Sequence, residues 1–123
     1  MHTETPGGAP RDAGARERLL RQGGRALVER LATSFLERTP TRLAAARAAH
    51  ERGDLAAVEG ALHELKTSVL MVGCTAMGRL CQEGIEAALA RRSDQVARLL
   101  DALDEEHRAA RPFVADFLEA RVP

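Results

Sequence analysis

The chain has 123 residues, enough for one small domain with a single hydrophobic core. Its 18 basic residues balance its 18 acidic residues, which argues against nucleic acid as a partner, because a net basic surface is expected of nucleic-acid binding domains. No apolar run is long enough to span a bilayer or to form a signal peptide, so we expect a cytoplasmic protein that does not contact a membrane.

Residues 1–14 are rich in glycine and proline, and we expect them to be a disordered segment. Residues 15–121 are expected to form the folded domain, and their patterning is helical, with many Ala, Leu, Arg and Glu and no stretch that alternates with period two. A short N-terminal helix over Glu17–Gln22 is predicted to end at the two glycines that follow it.

The next predicted helix is long and runs from Arg25 to Arg52. Within it, Thr39-Pro40 resembles an N-cap followed by proline at the first helical position, so this helix is expected to be kinked or divided there. Gly53 then predicts a C-terminal stop, and Asp54 predicts the N-cap of the following helix.

That following helix is predicted over Leu55–Val72, with apolar residues spaced alternately by three and four, as in a helix packed in a bundle. The stripe consists of Leu55, Val58, Leu62, Leu65, Val69 and Val72. A helix over residues 76–90 and a last helix capped by Ser93 follow, with a break expected at Pro112. Short loops between four amphipathic helices predict an all-α fold, an antiparallel four-helix bundle with a short extra N-terminal helix and a kinked C-terminal helix.

The single lysine of the chain indicates where its chemistry lies. Seventeen of the 18 basic residues are arginine, and the exception, Lys66, follows His63 by three residues. Residues three apart are neighbours on a helix, so the ammonium is expected beside the imidazole. His63 lies one residue past the buried position Leu62, which predicts a ring that is at least partly exposed. A histidine with a neighbouring cation is suited to carry a transferable anion.

The segment from His63 to Gly73 resembles the signature of histidine-containing phosphotransfer (HPt) domains, in the pattern His63-x-x-Lys66-x-Ser68 with Gly73 ten residues after the histidine. The resemblance extends over about a hundred residues, including the turn before the histidine helix and the segment after Gly73.

The resemblance implies a phosphoryl carrier with no autonomous kinase activity. His63 would accept the phosphoryl group through Nε2, and Lys66 would neutralise its oxygens. Glu64, Thr67, Ser68 and Gly73 would support the site. The partners would be receiver domains of response regulators or hybrid kinases, any Mg²⁺ would belong to them, and the chain itself would be a monomer without cofactor or metal.

Two positions depart from the family pattern. Thr67 and Leu70 replace residues that are usually small in HPt domains, so they are expected to reshape the surface that receives a partner. Leu70 and one methionine, if exposed beside His63, would form the apolar patch that a partner needs. The predicted partner-binding residues are Leu70, Met71 and Met77.

Three other interpretations remain open from the residues. His63-Glu64 followed by Lys66-Thr67 also resembles the histidine box of dimeric sensor-kinase hairpins, although Ser68 stands where proline is typical. A second possibility is a bundle that docks on a kinase or receiver without carrying phosphate. A metal enzyme would need paired Glu-x-x-His motifs, and the chain offers only Asp104-x-x-His107, which is expected to lie on a solvated helix face.

Overall fold

A computed structural model describes residues 9–119 of the chain, and these residues form four α-helices and one short 3₁₀ turn, without a strand. The helices are α1 (Ala15–Glu51), α2 (Leu55–Met71), α3 (Thr75–Leu89) and α4 (Ser93–Ala115), and the 3₁₀ turn is Asp116–Leu118. Three-residue turns at 52–54, 72–74 and 90–92 reverse the chain between them. Each helix packs on its sequence neighbours, and α4 also packs on α1, which closes the bundle.

The predicted apolar stripe of α2 is confirmed. All six of its members are buried, and they join one continuous core with buried residues of the other three helices. Asp54 caps the start of α2, where its Oδ1 accepts a hydrogen bond from the backbone N–H of Ala57 at 3.0 Å. Because the apolar stripe faces the core, side chains on the opposite side of α2 face the surface. None of the helices in the described range is long and apolar enough to cross a membrane.

Helix α1 is kinked at the glycine pair where the sequence predicts that the short N-terminal helix ends, but it is continuous at Thr39-Pro40, where a kink or division was predicted. Its one residue with non-helical dihedrals is Gly24 (φ 72°, ψ −167°), and the backbone stays helical through Thr39 and Pro40. Proline at position 40 cannot donate the usual hydrogen bond to the Leu36 carbonyl. The Arg111 side chain of α4 donates to that carbonyl instead, at 3.3 Å, so the unpaired acceptor is satisfied without ending the helix.

Helix α4 also continues past its proline. Pro112 is exposed, and α4 extends three residues beyond it to Ala115 before the 3₁₀ turn begins. The break predicted at Pro112 is therefore wrong. Proline lacks the N–H that would bond the carbonyl one turn earlier, and this loss costs least on the exposed side of a helix, where water can bond that carbonyl.

The N-terminal segment is bound to the bundle over its last residues. Asp12 donates its backbone N–H to the Gly73 carbonyl at 2.7 Å, and the Thr75 hydroxyl donates to the Ala9 carbonyl at 2.7 Å. The disorder predicted for residues 1–14 therefore does not extend over residues 9–14, and residues 1–8 lie outside the described range. This segment covers the turn between α2 and α3.

The turn between α3 and α4 contains a strained residue and yields a stability prediction. Arg91 has φ 59°, which is the left-handed conformation. At the equivalent positions after α1 and α2 the left-handed residue is a glycine, Gly53 and Gly73 respectively. Arg91→Gly is expected to stabilise the fold by about 1 kcal/mol, because glycine adopts this conformation without steric penalty. Urea unfolding measures the change. The matched variant Arg98→Gly, at an exposed position inside α4, should destabilise by about 1 kcal/mol; a loss of stability in both variants would contradict the argument.

Candidate functional site

His63 projects from α2 into solvent, as its position beside the buried stripe predicts. Its side chain is 57% exposed, and its neighbours Leu62 and Leu65 are buried. The ring is carried by the middle of a 17-residue helix whose opposite face is fixed in the core. A reactive group on such a helix is held rigidly while remaining open to a large partner.

A carboxylate that the sequence analysis did not single out lies beside this ring. Glu59 Oε2 is 3.4 Å from His63 Nε2, one helical turn earlier. The i,i+4 spacing of the two residues is the sequence signal that could have identified the pair. The contact orients the imidazole, and Glu59 must turn away before Nε2 can attack an anionic group.

Lys66 is half-buried on the flank of α2 that faces α3. Its Nζ donates a hydrogen bond to Gln82 Oε1 at 2.6 Å, and Gln82 Nε2 donates to Glu86 Oε2 at 2.9 Å. Within residues 9–119, no hydrogen bond or ion pair joins Lys66 to His63. Lys66 follows His63 by three residues along α2, but its ammonium is hydrogen-bonded to Gln82 of α3. The spacing of residues within α2 could not indicate this contact.

The opposite flank of α2 faces α1 and carries the polar residues predicted to support the site. Glu64 and Thr67 are exposed, and Ser68 is half-buried. Thr67 Oγ1 donates to the His63 carbonyl oxygen at 3.5 Å, a local contact within the helix. A shallow cavity of about 200 Å³ lies along this flank. Its lining consists of Leu31, Ser34, Arg42, Glu64, Thr67, Ser68 and Met71.

Two of the three predicted partner-binding residues are on the surface. Leu70 is 41% exposed and Met71 is 45% exposed, about two turns after His63 on the same helix. The prediction that Met77 lies on the surface is wrong, because its side chain is fully buried in the core at the first turn of α3. From the sequence, an apolar side chain at this position could belong either to the core or to a contact surface. The side of α3 that faces the bundle decides between the two.

Gly73 ends α2 and does not contact the imidazole flank. Its φ of 82° is left-handed, its N–H bonds the Leu70 carbonyl, and the N–H of Cys74 bonds the Val69 carbonyl. These two bonds form a Schellman motif, a common helix ending. The contact from Asp12 also falls on the Gly73 carbonyl, so this glycine joins the end of α2 to the N-terminal segment.

The remaining nucleophilic side chains are less available than His63. Burial raises the pKa of both Cys74 and Cys81 to about 12, so the two thiols stay protonated and inert near neutral pH. His107 was expected on a solvated face but is buried against the Phe35 ring, with centroids 5.8 Å apart. Burial lowers the pKa of His107, which keeps the ring neutral.

Asp104, the other half of the motif considered for a metal, is paired with Arg47 at 2.7 Å. Across the described residues, no three His, Cys, Asp or Glu side chains are grouped as potential metal ligands.

Comparison with known proteins gives one match. The family model described as Hpt domain matches residues 30–112, from within α1 to the last turn of α4, and this range includes His63, Lys66 and Gly73. No curated protein and no solved structure matches the chain.

Proposed function

The chain belongs to the Hpt domain family, whose members transfer phosphoryl groups through a histidine in two-component phosphorelays, and we propose that His63 is the histidine it uses. In this proposal His63 takes the phosphoryl group from the aspartate of one receiver domain and passes it to another. The chain acts in the cytoplasm as a monomeric carrier.

The observation that carries this proposal is the exposure of the His63 ring, at a histidine that lies within the residues matched by the family model and that is followed by Lys66 and Gly73 at the spacing of the family signature. The described residues contain two other histidines. His107 is buried, and the His50 ring nitrogen lies 3.0 Å from the Ser93 carbonyl oxygen. Of the three, His63 is the one whose side chain is more than half open to a partner.

The chemistry requires an in-line approach of the imidazole to the phosphorus atom. The lone pair of neutral Nε2 attacks the phosphorus of the receiver's aspartyl phosphate, a P–N bond forms, and the carboxylate leaves with the electrons of the P–O bond. The proton on the other ring nitrogen stays in place, and the product is a phosphohistidine with a reactive P–N bond. Positioning and charge neutralisation are the main demands of such a transfer, and α2 supplies the positioning.

The closed bundle favours a carrier over a dimeric kinase hairpin. Within one chain, α1 packs on α2, α4 packs on α3, and α1 and α4 pack on each other, so the histidine helix finds its bundle partners without a second copy. A dimerisation hairpin would leave an apolar face to be covered by another protomer.

The contact surface for the receiver domain is proposed around Leu70 and Met71. Both side chains are large, apolar and exposed on the helix that carries His63. Large exposed apolar residues that lie together are typical of protein-contact sites. Thr67, exposed one turn after His63, adds bulk at the edge of this surface and is proposed to influence which receivers are accepted.

Lys66→Ala is expected to slow phosphoryl transfer about tenfold while leaving the bundle folded. The ammonium has three N–H donors, of which Gln82 takes one, so the others can bind phosphoryl oxygens, and charge-assisted bonds of this kind are the strong ones. The measurement is the initial rate at which a receiver domain loaded from acetyl phosphate labels the chain.

Arg98→Ala, which removes an exposed cation of α4, is the matched control and should transfer at the wild-type rate. An unchanged rate for Lys66→Ala would remove Lys66 from the mechanism. Helical content measured by circular dichroism should be the same in all three proteins, since Lys66 contributes no side chain to the core.

A further inference from the structure

The hydrogen-bond chain from Lys66 through Gln82 to Glu86 joins α2 to α3 beside the proposed acceptor. We propose that Gln82 is a positioning residue, which holds the Lys66 ammonium by an uncharged acceptor and so leaves its positive charge available to the phosphoryl group on His63. The inference rests on the proposed function and assigns a role to a residue on a different helix from the acceptor.

The backbone geometry places Gln82 opposite Lys66. Gly84 of α3 packs against Leu62 of α2, where a Cβ atom would come within 2.6 Å of Leu62 Cδ1. Gly78 accepts Leu70 in the same manner. Lys66 lies midway between the two leucines, and Gln82 lies between the two glycines, so the close approach of the helices sets the distance that the hydrogen bond spans.

The orientation of the Gln82 amide follows from its two partners. A lysine ammonium can only donate hydrogen bonds, and an ionised glutamate can only accept them. The amide oxygen of Gln82 must therefore face Lys66, and its nitrogen must face Glu86, as the contacts of 2.6 and 2.9 Å show. Because both ends of the amide are engaged, the side chain is held in one rotamer.

The charge of the acceptor matters for transfer. A carboxylate in place of the Gln82 amide would pair with the ammonium and cancel most of its field at the phosphoryl group. Glu86 is separated from Lys66 by the length of the amide that binds both. The arrangement restrains the ammonium but does not neutralise it, and two of its three N–H donors stay free of Gln82.

Substitution of Gln82 tests the proposal in the transfer assay. Gln82→Leu is expected to slow labelling of His63 about threefold to tenfold, because an untethered ammonium is less often in place. Gln82→Glu should slow it as well, since its carboxylate would hold the ammonium and neutralise it. Gln95→Leu is the matched control, at a half-buried glutamine of α4, and should leave the rate unchanged.

A double variant shows whether Gln82 acts through Lys66. In a Lys66→Ala background, Gln82→Leu is expected to have no further effect on the rate, because the group that it positions is gone. Wild-type transfer by Gln82→Leu, or an equal slowing in both backgrounds, would overturn the proposal. Full activity in Gln82→Glu would overturn the argument that the acceptor must be uncharged.

A second readout does not depend on phosphoryl transfer. Lys66 is the only lysine of the chain, so a protein grown with ¹³C-lysine gives a single Cε signal in the NMR spectrum. Relaxation of this signal should report a restrained side chain in the wild type and a more mobile one in Gln82→Leu. Equal mobility in the two proteins would show that Gln82 does not hold Lys66. Absence of label on the wild type, by contrast, would count against the proposed function.

Discussion

His63→Gln is expected to abolish labelling of the chain by a phosphorylated receiver domain. Glutamine is similar in length to histidine and tolerates a surface helix position, but its amide nitrogen is not a nucleophile. Since the His63 side chain is 57% exposed and lies outside the core, the variant should fold as the wild type does. The measurement is transfer of radiolabelled phosphoryl to the chain from each receiver domain of its genome.

His50→Gln provides the matched control for this experiment. His50 is half-buried near the end of α1, where its ring contacts Ser93, and the same substitution there should leave labelling intact. Label retained by His63→Gln would show that another group accepts the phosphoryl. If the wild type takes no label from any receiver, while the receivers pass phosphoryl to other carriers, the docking interpretation would be favoured.

Gly73→Ala is expected to destabilise the domain by about 3 kcal/mol. Two effects add at this position. The left-handed φ of 82° disfavours any side chain, and a Cβ atom would come within 2.5 Å of the buried Cβ of Ala15. The backbone of Asp12 also lies close, with its carbonyl oxygen 3.1 Å from that Cβ position. Urea unfolding followed by circular dichroism gives the free energy of unfolding.

Gly53→Ala separates the two effects at Gly73. Gly53 has nearly the same conformation, with φ 75°, and ends α1 with the same hydrogen-bond motif, but no atom lies within 4 Å of its Cβ position. We expect a loss of about 1 kcal/mol there, from the backbone alone. Equal losses at the two glycines would mean that the contact with Ala15 relaxes without cost and that the N-terminal segment is not fixed at this turn.

Helix identity and the facing of α2 could be predicted because they depend on local patterns. Alternating spacings of three and four placed Leu62 and Leu65 in the core and His63 outside it, and burial confirms this assignment. Asp54 was identified as a cap from residue type and position alone, and its side chain makes the predicted type of bond.

The features that could not be predicted are contacts between helices. Pro40 is accommodated because Arg111 of α4 bonds the Leu36 carbonyl, and no pattern within α1 indicates that partner. Met77 is buried and Leu70 is exposed, and this difference also depends on a contact between helices. The way in which α2 and α3 face each other decides which of the two apolar side chains reaches the surface.

The bond from Lys66 to Gln82 is likewise set by how closely two helices pack. The sequence identified Lys66 by its uniqueness but gave no indication of the amide that holds it. Site residues whose roles depend on spacing along one helix were therefore identified more completely than those whose roles depend on a neighbouring helix.

The most direct test is to locate the phosphoryl group on the wild-type chain after incubation with a phosphorylated receiver domain. Fragmentation mass spectrometry at neutral to alkaline pH preserves phosphohistidine and assigns it to one residue. The account predicts the modification on the His63 imidazole, and its disappearance when an unphosphorylated receiver domain is added. A modification on any other residue, or none on His63 while the same receiver domain labels another carrier, would contradict it.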